Sequence, residues 1–452
     1  MNFARDVACA VAWIHSLGII HRDIKLANML IATDGSIKVC DFGLSALKEG
    51  RQHLRDRGYA KGTPLYMAPE VLKGQNFNES SDIYSFGLVL WELVAQREVF
   101  SGTYVDEYSV EEFRDEVINA HLRPTIDETM RLNYPPRLFS IMERCWAEIP
   151  ATRPSFDQLI PELEAAMIEI AVADEFGRDL WRNLCKKEGF KLAHNWNVFK
   201  VSLQQVIAPF RDTTVEEGII DIRNINVTRL NDLQLDMLRV YGSEYSTMVD
   251  RELNNRYGNT VMSSMDKVTD LEEECIKAVF AKHGPEGDDN FVVTLERFGH
   301  MLTYFGPIVE ENKSVLFLDR VRRLLFQEWF HGETETAQAE NLINQFLKDR
   351  SEMPFLVRLS STKPGNFVVT RATVDNILHE RIQYVAAGPQ KGYTYDKQRY
   401  CSIEALVNHN KFDRWNGALA CPGSAYQRLF QTARGQYADS SSSSSAAGLP
   451  RP

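Results

Sequence analysis

The sequence predicts a multidomain chain of α+β class, and three stretches carry that prediction. Residues 1–172 alternate apolar, helix-spaced runs with polar loops. Residues 173–325 are charged and helix-patterned, with few turn signals. Residues 326–428 set β-branched runs such as "FVVTRATV" between two helical stretches. A chain of 452 residues holds about two to four domains, and its 44% hydrophobic and 25% charged content suits ordinary globular cores. The serine-rich end, residues 436–452, has low complexity and is expected to be disordered.

The net charge of −11 argues against a nucleic-acid surface. The seven cysteines contain no C-x-x-C pair, a pattern expected of reduced thiols in the cytoplasm. No apolar run approaches the ~18 residues that span a bilayer. Arg5 followed by "VACAVAWI" has the outline of a signal peptide, yet it runs unbroken into the next motif and reads as a core helix.

Five motifs then follow in order: "GIIHRDIKLANMLI" (18–31), "DFG" (41–43) after the strand-like "SIKVC", "GTPLYMAPE" (62–70), "SDIYSFGLVLWEL" (81–93) and "CWAEIPATRPSF" (145–156). Carboxylate and carboxamide residue types suit phosphoryl transfer, in which positioning and charge neutralisation do most of the chemistry. Together the motifs resemble the large lobe of protein kinases. The resemblance implies ATP and Mg²⁺ as cofactors. Asp23 would accept or orient the substrate hydroxyl proton and Lys25 would reach the γ-phosphate, while Asn28 and Asp41 would hold metal. His21, Arg22, Phe42, Gly43, Thr63, Glu70, Asp82 and Arg153 take structural or regulatory roles, with Glu70 paired to Arg153 and Asp82 anchoring the catalytic loop. Lys25 and the Gly62–Thr63 pair resemble the Ser/Thr-specific pattern, and the "CW…RPSF" ending resembles the tyrosine-kinase-like branch. Dual specificity stays open. Arg22 would pair with a phosphate on the activation segment, for which Tyr59 and Ser45 are candidates among Arg51, Arg55, Arg57 and Lys61.

No two of the 26 glycines are separated by one residue, so no G-x-G loop occurs, and no "VAIK"-like strand is present. The resemblance therefore covers the large lobe without the small one. The small lobe is expected from coding sequence upstream of Met1, and the chain as written is expected to bind MgATP weakly and to expose an apolar lobe face.

From "WFHGETETAQAENLI" onward, residues 326–428 resemble the Src homology 2 (SH2) domain, a central antiparallel sheet flanked by two helices. In "PFLVRLSSTKPGNFVVT" a single arginine interrupts an apolar strand, where burial is costly unless an anion meets it. The resemblance makes Arg358 the phosphate-gripping residue, Ser360 and Ser361 the hydroxyl donors of the loop that wraps the phosphate, and His379 and Arg381 the flanks of a phosphotyrosine ring. The family's second arginine is replaced by Thr336. Residues 173–325 form a helical linker. Within it, "KHGPEGDDNFVVTLERFGHML" reads as a degenerate EF-hand-like pair or a plain helical pair. With Glu296 as last ligand, Pro285 and Gly287 would fall at ligand positions, and Asp288 and Asp289 do not rescue the loop.

Kinase lobe first and SH2 domain last is the order of the amoebozoan SH2-bearing protein kinases. That resemblance implies a cytoplasmic Ser/Thr protein kinase acting on protein substrates and recruited, at the membrane as well, by tyrosine-phosphorylated partners. The alternative is a non-catalytic phosphotyrosine-binding adaptor.

Overall fold

A computed structural model describes residues 1–47, 64–75, 77–101, 108–217, 270–284, 290–309, 317–349, 352–385, 392–426 and 429. Thr63, Tyr59, the basic residues 51–61, the loop 285–289 and the serine-rich end lie outside the described residues. The chain divides into two compact units, Met1–Ala171 and Val172–Pro452, so the linker and SH2-like segments share one unit. No helix among the described residues is long and apolar enough to cross a membrane.

The first unit is built on the helix Glu79–Ala95, buried on nearly every side. Its sequence "IYSFGLVLWELV" has no polar face to offer solvent, which is what a core helix requires. Asn78 starts it with a reciprocal capping box to Ser81. The helices Asn2–Ser16, Pro136–Cys145 and Phe156–Ala171 pack around it. The Tyr84 ring lies between the guanidinium groups of Arg123 and Arg153, each 5.1 Å from its centre. The catalytic segment hangs from this core on short strands. β1 (Ile19–Ile20) pairs with β4 (Ala46–Leu47), and β2 (Met29–Ile31) pairs with β3 (Ile37–Val39).

The second unit begins with an aromatic core among the helices Glu175–Glu188, Trp196–Glu217, Asp270–Phe280, Leu295–Phe305 and Phe317–Phe326. Trp181, Phe199 and Phe280 surround Phe298 with ring centres 5.3 to 5.7 Å away. β5 (Ala193–Asn195), β6 (Lys282–His283) and β7 (Phe291–Thr294) form a small sheet in the order β5-β7-β6. Two helix–strand–helix pieces thus face each other through β5 and β7. Glu296 is on the helix that follows β7.

The sheet that follows has the order β12-β11-β10-β9-β8-β13, with β8 (Pro354–Leu359), β9 (Phe367–Ala372), β10 (Ile377–Val385), β11 (Gly392–Tyr395), β12 (Gln398–Tyr400) and β13 (Leu419–Ala420). It is antiparallel apart from its edge, where β13 runs parallel to β8. Residues alternate between faces. Leu356 and Ala372 pack under the helix Thr336–Asp349, and the helix Ile403–Asp413 follows β12. Gly332 enters this fold at φ +61°, where a Cβ would stand 2.3 Å from the Tyr426 hydroxyl, so no side chain fits there.

Candidate functional sites: a phosphoryl-transfer loop and an anion pocket

The catalytic loop is fixed from beneath by one buried carboxylate. Asp82 accepts from the amides of His21 and Arg22, both at 2.8 Å, and pairs with His15 Nε2 at 2.8 Å. This grip matters because Arg22 sits at φ +71° and Asp41 at φ +62°, left-handed conformations that cost non-glycine residues energy and persist only where surroundings impose them. Asp23 is 7% exposed. Its Oδ2 takes Lys25 Nζ at 2.8 Å and Asn28 Nδ2 at 2.9 Å, and Asn28 Nδ2 also donates to the Asp23 carbonyl at 2.8 Å. The lysine and the amide hold the carboxylate in one orientation.

The β2–β3 hairpin brings the other predicted residue alongside. Cys40 N donates to Asn28 O at 2.9 Å, so Asp41, next in the chain, stands beside Asn28. The Asp41 carboxylate is exposed and accepts from Gly43 N at 3.3 Å. A carboxylate and a carboxamide oxygen are hard donors of the kind Mg²⁺ takes together with phosphates and waters. Phe42 lies against His21, with ring centres 5.0 Å apart, and His21 Nε2 bonds to Cys40 O at 3.1 Å. Arg22 has a buried Nε without a hydrogen-bond partner and stacks over Phe77 at 5.5 Å. Burial lowers its pKa, opposed by Asp82. Ser45 Oγ is tied to the His21 carbonyl at 3.4 Å.

Glu70 and Arg153 form a two-pronged pair at 2.7 and 2.9 Å, both buried. The remaining donors of Arg153 reach Ala147 O and Ser80 O, and Ser81 Oγ reaches Glu70. Such complete satisfaction is what a buried ion pair needs in order not to destabilise the fold.

The residues predicted to bind phosphate lie on the sheet face that carries Leu356 and Ala372. Register places Arg358 opposite Val368, which faces Arg381, and places Thr370 opposite His379. Arg358 is 4% exposed. Its Nη2 donates to Thr336 Oγ1 at 2.8 Å, and longer contacts of 3.4 Å run to Thr334 O and Thr370 Oγ1. All three are neutral acceptors. Burial depresses its pKa, opposed by the field of Glu340. A buried guanidinium whose hydrogen bonds go to neutral oxygens, with the Glu340 carboxylate acting on it only through its field, is poised to gain from an anion. His379 Nδ1 shares a 3.0 Å hydrogen bond with Thr370 Oγ1, and its Nε2 one of 3.0 Å with Glu340.

Across the mouth, Arg381 Nη2 reaches Thr362 Oγ1 at 3.5 Å. Ser360 Oγ accepts from Lys363 N at 3.2 Å, closing the loop, whereas Ser361 is exposed. The predicted Arg358, Ser360, His379 and Arg381 therefore gather at one site with Thr336. Sequence reasoning missed Thr370 and Glu340. Both follow from strand register and helix facing, which no local motif signals.

The protein kinase domain family matches residues 1–162, and the SH2 domain family matches residues 329–410. Dual specificity protein kinase shkA of Dictyostelium discoideum is 32% identical over 411 residues, covering 90% of this chain and 67% of its own length. Its counterpart shkC is 33% identical over 420 residues, covering 91% and 69%. The chain belongs to the SH2-bearing protein kinases. In this SH2-bearing kinase, the cluster around Asp23 lies within the stretch matched by the kinase family and Arg358 within the stretch matched by the SH2 family. A third relative, shkD of the same organism, is 29% identical across 93% of this chain.

Proposed function

We propose that the protein transfers the γ-phosphate of ATP to serine, threonine and tyrosine hydroxyls of proteins and is recruited by tyrosine-phosphorylated partners. The observation that carries the catalytic half is Asp23, held by Lys25 and Asn28 at hydrogen-bond distance. Asp23 orients the attacking hydroxyl and receives its proton, and Lys25 faces the transferred phosphoryl group. Bound Mg²⁺ supplies charge neutralisation on the phosphates, with Asn28 and Asp41 as its protein ligands. Lys25 favours serine and threonine, and the relatives' names extend the reading to tyrosine. All seven cysteines are unbridged, which agrees with a cytoplasmic protein. Native protein purified from the cytosolic fraction and given labelled ATP is expected to yield phosphoserine or phosphothreonine together with phosphotyrosine. Label confined to one class would restrict the specificity to that class.

The second half makes Glu340 informative. Its carboxylate stands at the pocket that a phosphate dianion enters. Glu340→Gln is expected to tighten phosphotyrosyl-peptide binding about three- to five-fold, on the scale of an exposed charge pair, and the gain should shrink in high salt. Fluorescence polarisation at two ionic strengths checks this. Weaker binding in the variant would instead make Glu340 the residue that orients His379.

A further inference from the structure

The helical part of the second unit is built against the back of the anion pocket. Tyr304, on the helix Leu295–Phe305, is buried and donates its hydroxyl to the carbonyl of Ser360 at 2.7 Å. Its ring meets Phe367 edge-on, with centres 5.7 Å apart. Burial pushes the hydroxyl's pKa to about 12, so it remains a donor throughout the neutral range. Gly365, in the same loop at φ +85°, lies against the same helix, where an added Cβ would stand in van der Waals contact, 3.4 Å from the Thr303 carbonyl. On the other flank, Arg297 Nη1 pairs with Glu333 at 2.6 Å and Lys282 with the same carboxylate at 3.5 Å. Glu333 immediately precedes Thr334, whose carbonyl receives Arg358. Both walls of the pocket therefore rest on residues of the helical segment.

The sheet geometry gives this contact a direction. Phe367 pairs with Leu359 and Val368 pairs with Arg358, so Phe367 and Arg358 lie on opposite faces. Tyr304 thus holds the Ser360 carbonyl from the face away from the pocket. In a trans peptide the carbonyl and the following N–H point in opposite directions. Anchoring the Ser360 oxygen toward Tyr304 turns the Ser361 N–H toward the Arg358 side.

We propose that Tyr304 is a positioning residue for phosphate binding, fixing the Ser360–Ser361 peptide so that its N–H faces the anion. The helical segment then belongs to the phosphate reader instead of being a spacer. This assignment rests on the phosphotyrosine reading above, and the test separates the two.

The test uses the full chain with a phosphotyrosyl peptide, its unphosphorylated counterpart and phenyl phosphate as a probe of the pocket alone. Tyr304→Phe keeps the ring and removes the hydroxyl with its bonds to the Ser360 carbonyl and the Gly365 amide, so Tm should stay within a few degrees. Affinity for the phosphopeptide and for phenyl phosphate should fall together by about five-fold, the scale of one net hydrogen bond. Unchanged binding in Tyr304→Phe, with Arg358→Ala losing the phosphopeptide, overturns this inference and leaves the reading standing. A loss seen with the peptide but not with phenyl phosphate also overturns it, because the effect then lies in contacts flanking the phosphate. Wild-type protein that binds both peptide forms equally removes the reading, and the inference with it.

Discussion

Arg358→Ala is expected to weaken phosphotyrosyl-peptide binding by on the order of 10²-fold or more. Arg358 is buried, and among the described residues its hydrogen bonds go to Thr336, Thr334 and Thr370 oxygens. A bound phosphate would give its guanidinium two charge-assisted hydrogen bonds, each contributing about 1.5–3 kcal/mol. With Thr336 in place of a second arginine, little else at that depth shares the load. Arg358→Lys keeps the charge but loses the planar fork and the fixed reach to Thr336, so it should fail nearly as badly. Arg381 is exposed and reaches only Thr362 at 3.5 Å, so Arg381→Ala should cost distinctly less. Fluorescence polarisation with phosphorylated and unphosphorylated peptides reads all three. An indifferent Arg358→Lys would show that the pocket is held together for packing alone.

What could be read in the sequence is what local spacing encodes. Asp23, Lys25 and Asn28 fall within one loop, so the motif and the geometry coincide. Asp82 and the Glu70–Arg153 pair were legible because each lies in a motif of its own, although the pairing spans 83 residues. Arg358 was visible as a charge inside an apolar strand. The residues that went unread are those placed by register. Thr370 meets His379 only because β9 and β10 align as they do. Glu340 reaches His379 only because a helix lies across the sheet. Tyr304 sits in "GHMLTYFG", where an apolar helix pattern reads as ordinary core and hides a hydroxyl whose partner lies 56 residues on. The β5–β7 pairing was equally hidden, since strands of three and four residues are too short for a period to emerge.

The largest catalytic effects are expected at Asp23 and Asp41. Asp23→Asn preserves size and still meets Asn28, but it removes the group that receives the hydroxyl proton and the negative charge that Lys25 pairs with. Asp41→Ala removes the exposed carboxylate beside Asn28 and with it a metal ligand. Each should lower kcat by at least ~10²-fold, the scale of a positioned acid–base group. The fold should persist in both, because the loop is gripped by Asp82 and not by either residue. The most direct measurement is phosphate transfer from labelled ATP to a generic protein substrate by the complete native protein, small lobe included, and its Asp23→Asn variant, at matched thermal stability. The account predicts turnover in the native protein and a loss of at least ~10²-fold in the variant; near-wild-type turnover in Asp23→Asn would contradict it.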